Sequence, residues 1–327
     1  MRRSAVEPSA LGAPVARRAG AFAGICLMVI ACGTGPEPPS PTERQSAALD
    51  PAAYEEEIHD WRRARYERLT APDGWLSLVG LFPLDADELT FGTGTAVDLA
   101  FGGSDEERTL GTIARRAEGR FVVRSAPGVE IFSDGEPVES IELQAGADGA
   151  SIALDVPPYR FFVIERSGRY YLRVRDLTRV DRVALPEIDY FPIDLSWRLE
   201  ARFEPYEPPR ILAVPTVLDV DDDSVSPGAL VFERNGASYR LDALESGDRL
   251  FVIFADRTTG DETYGGGRYL YTDLPNPGGS VVVDFNEAYN PPCVFTPYAT
   301  CPLPPPQNRL DTAVTAGEKM VVGYLEH

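Results

Sequence analysis

The stretch Arg160-Phe161-Phe162-Val163-Ile164-Glu165-Arg166-Ser167-Gly168-Arg169-Tyr170-Tyr171-Leu172-Arg173-Val174 decides the fold class. Two short runs rich in aromatic and β-branched residues flank Ser167-Gly168, a turn dipeptide suited to a hairpin. The same grammar continues toward the N-terminus in Phe121–Arg124, Val129–Phe132, Ser140–Leu143 and Ser151–Leu154, with Pro127-Gly128, Asp134-Gly135 and the Ala145–Gly149 stretch between them. Toward the C-terminus it resumes after Pro208-Pro209, in Ile211–Val214, Ala229–Glu233, Ser238–Leu241, Leu250–Ala255, Arg268–Thr272 and Val281–Phe285, and Asn235-Gly236 is the clearest hairpin turn. No strand–helix alternation and no fixed-period repeat interrupts it, which excludes a doubly wound sheet. The expectation is a mainly β protein built as an antiparallel meander, sandwich or barrel-like modules.

One segment departs from this pattern. Asp50-Pro51 has the form of an N-cap followed by Pro at the first helical position, and Tyr54, Ile58, Trp61, Ala64/Arg65 and Leu69 recur at helical spacing. A single N-terminal amphipathic helix follows, stopped by Thr70-Ala71-Pro72-Asp73-Gly74. The chain then divides into a helix plus β-module over 50–207 and a second β-module over 208–327, or folds as one large sheet or sandwich.

Composition narrows the function classes. The 327 residues are 43% hydrophobic and 25% charged, inside the globular range. With 51 acidic against 31 basic residues the formal charge is −20, which disfavours sequence-independent nucleic-acid binding and anionic membrane surfaces. Lys319 is the sole lysine among the basic residues. Only His59 and His327 exist, so a multi-histidine metal site is excluded, and His59 reads as a surface residue. No Gly-x-Ser-x-Gly elbow, P-loop or dinucleotide fingerprint is present, and Gly265-Gly266-Gly267 reads as a turn. Asp219, Asp221 and Asp223 occupy the first, third and fifth places of a calcium loop, but Ser224 replaces its glycine and Leu230 its bidentate glutamate. These acids form either a loose calcium site or a solvated acidic loop.

The tail holds the richest chemistry. Period two places Asp284 and Asn286 on one face and Phe285 on the other. With Phe285 in the core, the two polar side chains look toward a loop of Tyr289, Asn290, Cys293 and Cys301, stiffened by seven prolines at 291, 292, 297, 302, 304, 305 and 306, with Arg268 as the cation. Asn308, Glu318 and Lys319 complete the set of polar candidates, Lys319 being expected to pair with Glu318 or a neighbour. Alternatively the same groups partner the unpaired backbone of an irregular, proline-rich segment. Cys293 and Cys301 form either a disulfide loop or two buried thiols. Trp75 is expected in the core or against the helix.

The strings Gly74-Trp75-Leu76-Ser77-Leu78-Val79-Gly80-Leu81, Tyr264-Gly265-Gly266-Gly267-Arg268-Tyr269-Leu270, Asp284-Phe285-Asn286, Ala288-Tyr289-Asn290-Pro291-Pro292-Cys293 and Ala316-Gly317-Glu318-Lys319 resemble DUF1684, a family of bacterial and archaeal proteins of unknown function. The resemblance spans Trp61 to Lys319 and implies a common fold, commonly in lipoprotein or secreted form, without an established activity. Three functions stay open: a ligand-binding or envelope-associated module with no organic cofactor, a hydrolase using Asp284 with Arg268 and Tyr289, and a split barrel binding a flavin.

The N-terminus reads as an address. Arg2, Arg3, Arg17 and Arg18 precede an apolar run that ends in Val29-Ile30-Ala31-Cys32. This is the layout of a secretory signal over 1–31, and the final four residues resemble a bacterial lipobox with Cys32 as the lipidated residue. A proline-rich tether over 32–49 follows. The expected location is the cell envelope, lipid-anchored and facing the periplasm or the outside, at the outer membrane if there is one. The membrane is then a partner through the anchor and nucleic acid is not. Cys32→Ala is expected to move the protein from the membrane to the soluble fraction with its fold intact; recovery of the variant in the wild-type fraction counts against the anchor.

Overall fold

The computed structural model describes residues 49–102, 106–146 and 152–324 of the chain. Its first element, α1 (Pro51–Thr70), starts where the cap chemistry places it, the Asp50 side chain accepting from the Ala52 backbone N–H at 3.1 Å. Tyr54, Ile58, Arg65 and Leu69 form its buried stripe. The chain leaves the helix through Gly74, where a Cβ would stand 2.5 Å from the Leu69 carbonyl oxygen. Only glycine lets the chain pass so close to the end of the helix.

Seventeen strands follow among the described residues, paired antiparallel except for Glu88–Thr93 with Leu99–Ala100. The first sheet has the order β1 (Leu78–Pro83), β11 (Arg169–Asp176), β10 (Tyr159–Arg166), β9 (Leu154–Val156), β6 (Ile131–Ser133), β7 (Glu136–Val138). The second runs β3 (Leu99–Ala100), β2 (Glu88–Thr93), β4 (Arg108–Ala117), β5 (Arg120–Ser125), β8 (Ser140–Gln144). Phe161 and Leu172 of the first sheet and Phe91, Ile113, Phe121 and Leu143 of the second belong to one buried cluster. Burying each such side chain contributes on the order of 1.5–3 kcal/mol, which makes this apolar layer the main adhesive of the pair. The turns Asp134-Gly135, Ser167-Gly168 and Asn235-Gly236 all have positive φ at both residues, the conformation that matches strand twist in a two-residue hairpin.

The third sheet runs β16 (Arg268–Asp273), β15 (Arg249–Phe254), β14 (Ala237–Ser246), β13 (Asp221–Arg234), β12 (Arg198–Pro215), β17 (Ser280–Asp284) and curls until it is nearly a closed barrel. Its interior holds Leu230, Leu241, Val252, Leu270, Val283 and Phe285. β12 passes through Glu204 to Pro209 as one strand, with a register shift between Pro205 and Arg210. Asp221 and Asp223 lie within β13 opposite Pro215 and Ala213, and Asp219 sits in the preceding turn at φ 55°. The acidic run is thus mostly strand, and the described residues hold no group of three or more His, Cys, Asp or Glu placed to bind a metal.

After β17 regular structure ends, and Val314 and Ala316 of the irregular tail join the barrel core. Gly317, at φ 78°, permits this: a Cβ there would lie 2.4 Å from the Ala288 carbonyl oxygen. Arg268 fixes the tail from inside. Its Nη2 donates to Asp256 Oδ2 at 2.7 Å and to the Val314 carbonyl at 2.9 Å, while Nη1 donates to the Ala316 carbonyl. Both side chains of the Arg268–Asp256 pair are fully buried. Arg268→Met keeps the bulk but strands Asp256, so the variant is expected to lose about 3–5 kcal/mol in denaturant melts. Arg257→Met, which removes an exposed pair with Asp311, is expected to leave the melting curve nearly unchanged.

Candidate functional site

A cleft of about 770 Å³ opens between α1, the turn at Gly74-Trp75, strands β15 and β16, and the segment after β17. It adjoins a chamber of about 270 Å³ that reaches toward Ala299–Pro302, and Arg65, Trp75, Tyr271 and Tyr289 line both. Strand periodicity supplies one wall: Leu270 points into the barrel core, so Tyr269 and Tyr271 project on the opposite face. Phe251, paired with Tyr271 across the β15–β16 ladder, stacks on its ring at 4.8 Å.

Arg65 forms the floor. It is 7% exposed, on the buried stripe of α1. Its Nη2 donates to the Asn290 carbonyl at 3.2 Å, and its Nε stands 3.4 Å from Glu318 Oε1. The guanidinium carbon lies 4.8 Å from the centre of the Tyr289 ring and 5.8 Å from that of Phe295. Glu318 is fully buried, and its Oε2 accepts from the Asn290 backbone N–H at 2.7 Å. Burial pushes the Glu318 carboxyl above its ordinary pKa and the Arg65 charge opposes that rise. A buried cation needs such a counter-charge, and here the tail carries it to the helix.

Glu287 is the acid of the cleft. It stands in the short turn after Asp284, and burial, reinforced by Asp284, raises its pKa to about 7, with Arg249 opposing. Arg249 lies over Tyr271, 5.1 Å from the ring centre. Arg68 and Asp73 stand at the mouth beside Arg175, whose Nη1 donates to the Gly74 carbonyl at 2.8 Å.

The residues expected to form a site separate into two groups. Tyr289 lines the cleft, between the rings of Trp61 at 6.3 Å and Tyr269 at 5.8 Å, and burial raises the pKa of its hydroxyl. Asp284 and Asn286 do not look toward the cysteine loop. The Tyr54 hydroxyl donates to Asp284 at 2.9 Å and accepts from Asn286 Nδ2 at 2.8 Å, so together they hold the helix. Asn286 also exchanges bonds with the Asp194 backbone, and Arg198 pairs with Asp284 at 3.6 Å. Arg268 is the interior clamp described above, with no face on the cleft. Asn308 bridges β14 and β15, accepting from the Asp242 N–H and donating to the Asp242 and Ile253 carbonyls. Asn290 donates to the Lys319 carbonyl at 2.7 Å. Lys319 does not pair with Glu318, which Arg65 holds; its ammonium lies 5.0 Å from the centre of the Phe191 ring. Cys293 and Cys301 are joined as a disulfide, their Cα atoms 6.2 Å apart. Cys32 lies outside the described residues.

Sequence reasoning missed Arg65, Trp61, Trp75, Arg249, Tyr271 and Glu287 as a group. One signal was present: an arginine on the apolar stripe of an amphipathic helix needs a buried counter-charge. Trp75, expected in the core or against the helix, packs on the cluster that holds Leu69 of α1 and is part-exposed in the cleft wall.

A family model described as "Protein of unknown function (DUF1684)" matches residues 184–319. That span contains Arg249, Tyr271, Glu287 and Tyr289, while Trp61, Arg65 and Trp75 lie before it. The solution NMR structure of an uncharacterized protein from Haloarcula marismortui is 37% identical over 43% of this chain and 78% of that one, with a TM-score of 0.36. No curated protein matches the chain. Over residues 184–319, which hold the third sheet and most of the tail, the chain belongs to the DUF1684 family.

Proposed function

We propose that the protein is a lipid-anchored, extracytoplasmic binding module that holds a small anion in the cleft beneath α1. What supports this reading is the placement of Arg65, a guanidinium held by a buried carboxylate and a backbone carbonyl at the floor of an aromatic-walled cavity that Arg249 also lines. Guanidinium groups present a fixed fork that suits carboxylate or phosphate oxygens, and aromatic walls exclude water and strengthen the pairing. In a chain of −20 charge, four arginines around one cavity set up a local field of the opposite sign. The anchor rests on the lipobox-like sequence ending in Cys32 and the proline-rich tether behind it. Among the described residues no helix is long and apolar enough to cross a membrane.

Titration of Glu287 gives this reading a pH dependence. The charged groups facing it are Asp284 on its own segment, Arg249 on β15, Glu57 on α1 and Asp273 on β16. Its pKa is raised, so the neutral form prevails below about 7, where the carboxyl donates to an anion, and the charged form above, where it repels one. Affinity for acetate is therefore expected to fall as the medium goes from about pH 6 to about pH 8. In Glu287→Gln the profile is expected to be flat, and in Arg249→Gln affinity drops about tenfold at every pH, all read by titration calorimetry. An unchanged Arg249→Gln sinks the anion reading.

A hydrolase remains the second reading, with its acid–base group moved from Asp284 to Glu287, whose pKa suits proton transfer near neutrality. Turnover of a chromogenic aryl ester by the wild type that is lost in Glu287→Gln, with binding kept, would establish it.

A further inference from the structure

The chamber behind the cleft differs from it in kind. Its walls are the rings of Trp75, Phe251, Tyr269 and Tyr289 with Pro292 and Pro302. Phe251 and Tyr269 meet edge to face at 5.0 Å and 83°, as do Tyr269 and Tyr289 at 5.8 Å and 89°. The Tyr269 hydroxyl donates to the Pro302 carbonyl at 2.7 Å, so this ring offers a face and not a donor. Rings set edge to face around a gap favour another flat ring inserted among them. A cavity of ~150 Å³ suffices for benzene, so the chamber's 270 Å³ takes one ring with a short linker.

Charge fixes the other end. Arg65, Arg68, Arg175 and Arg249 line the cleft together with Asp73 and Glu287, and Glu318 stands behind Arg65. The four guanidinium groups outnumber the carboxylates of the lining, so this end of the cavity suits a small anion. Arg65 lines both cavities and so reaches the point where ring and anion join.

We infer that the ligand is a small aryl carboxylate, its ring in the inner chamber between Phe251 and Tyr289 and its carboxylate on Arg65 and Arg249 in the cleft. The inference rests on the anion reading above and adds the ring and the size. Binding of this kind is selective through shape at one end and charge at the other: a cation with the same ring finds like charge, and a carboxylate without the ring leaves the chamber unfilled.

The test is titration calorimetry on the full chain, in mild detergent, with 3-phenylpropionate, propionate, 2-phenylethylamine and inorganic phosphate as probes. 3-Phenylpropionate is expected to bind at least about tenfold more tightly than propionate, from burial of its ring, with 2-phenylethylamine not binding. Ala299→Leu, which fills the chamber from its wall, is expected to abolish the tenfold advantage and leave propionate unchanged. Where that variant melts early, Phe251→Ala at a part-exposed wall position gives the same reading. Equal affinity for the two carboxylates, or tighter binding of phosphate than of 3-phenylpropionate, overturns the aryl assignment while leaving the anion cleft standing. Binding of none of the three anions, or equal binding of 2-phenylethylamine, overturns both.

Discussion

The guanidinium of Arg268 inside the barrel is the contact on which the arrangement of the tail depends. A segment without sheet or helix leaves its carbonyls without the usual partners, and a buried carbonyl left bare costs about as much as a lost hydrogen bond. Arg268 collects the Val314 and Ala316 carbonyls on one planar group, and Asp256 balances its charge. Asp256 in turn accepts from the Thr258 N–H at 2.7 Å and the Val314 N–H at 3.3 Å, so the pair also pins the loop after β15. With the tail held there, Glu318 arrives at a fixed place beneath α1 and can hold Arg65. The cleft is therefore downstream of an ion pair that never touches it.

Most of the sheet architecture was legible because it is local. Alternation and two-residue turns mark a hairpin within about fifteen residues, and β10 with β11 or β13 with β14 stand where those marks place them. Strands β1, β2 and β4 were not found: Gly80, Gly92 and Gly111 interrupt their runs, and each packs glycine against a close neighbour, as where a Cβ at Gly111 would meet the Arg124 carbonyl oxygen at 2.3 Å. The paired use of Asp284 and Asn286 was legible as a shared face, but what that face meets was not. Its partner, Tyr54, lies 230 positions away, and no periodicity encodes a contact at that range.

Arginine shows the same divide between type and place. Arg65, Arg173 and Arg268 are at most 7% exposed, against a general expectation that such residues stay wet. Arg173 lies over Trp75, 5.7 Å from the ring centre, and Arg65 over Tyr289, so two cleft aromatics are each backed by a cation. Cation–π contacts of this kind orient a ring as well as stabilise it, which keeps the walls of an aromatic cavity from collapsing inward. Composition counts the arginines; only the fold says which of them are walls.

The Tyr54–Asp284 hydrogen bond joins the first element of the described structure to one of its last. Loops of that length close slowly, because the entropy lost on closure precedes the contacts that compensate it. The sheets can assemble from neighbours in sequence, but α1 has nothing to rest on until the third sheet and the tail have both come together. Assembly of the cleft therefore belongs to the end of folding, and a molecule able to grip a ligand there is one in which every preceding layer has already formed. A ligand bridging the helix and β16 would then act mainly on the rate at which the finished structure comes apart, holding together the two ends of the chain that meet last.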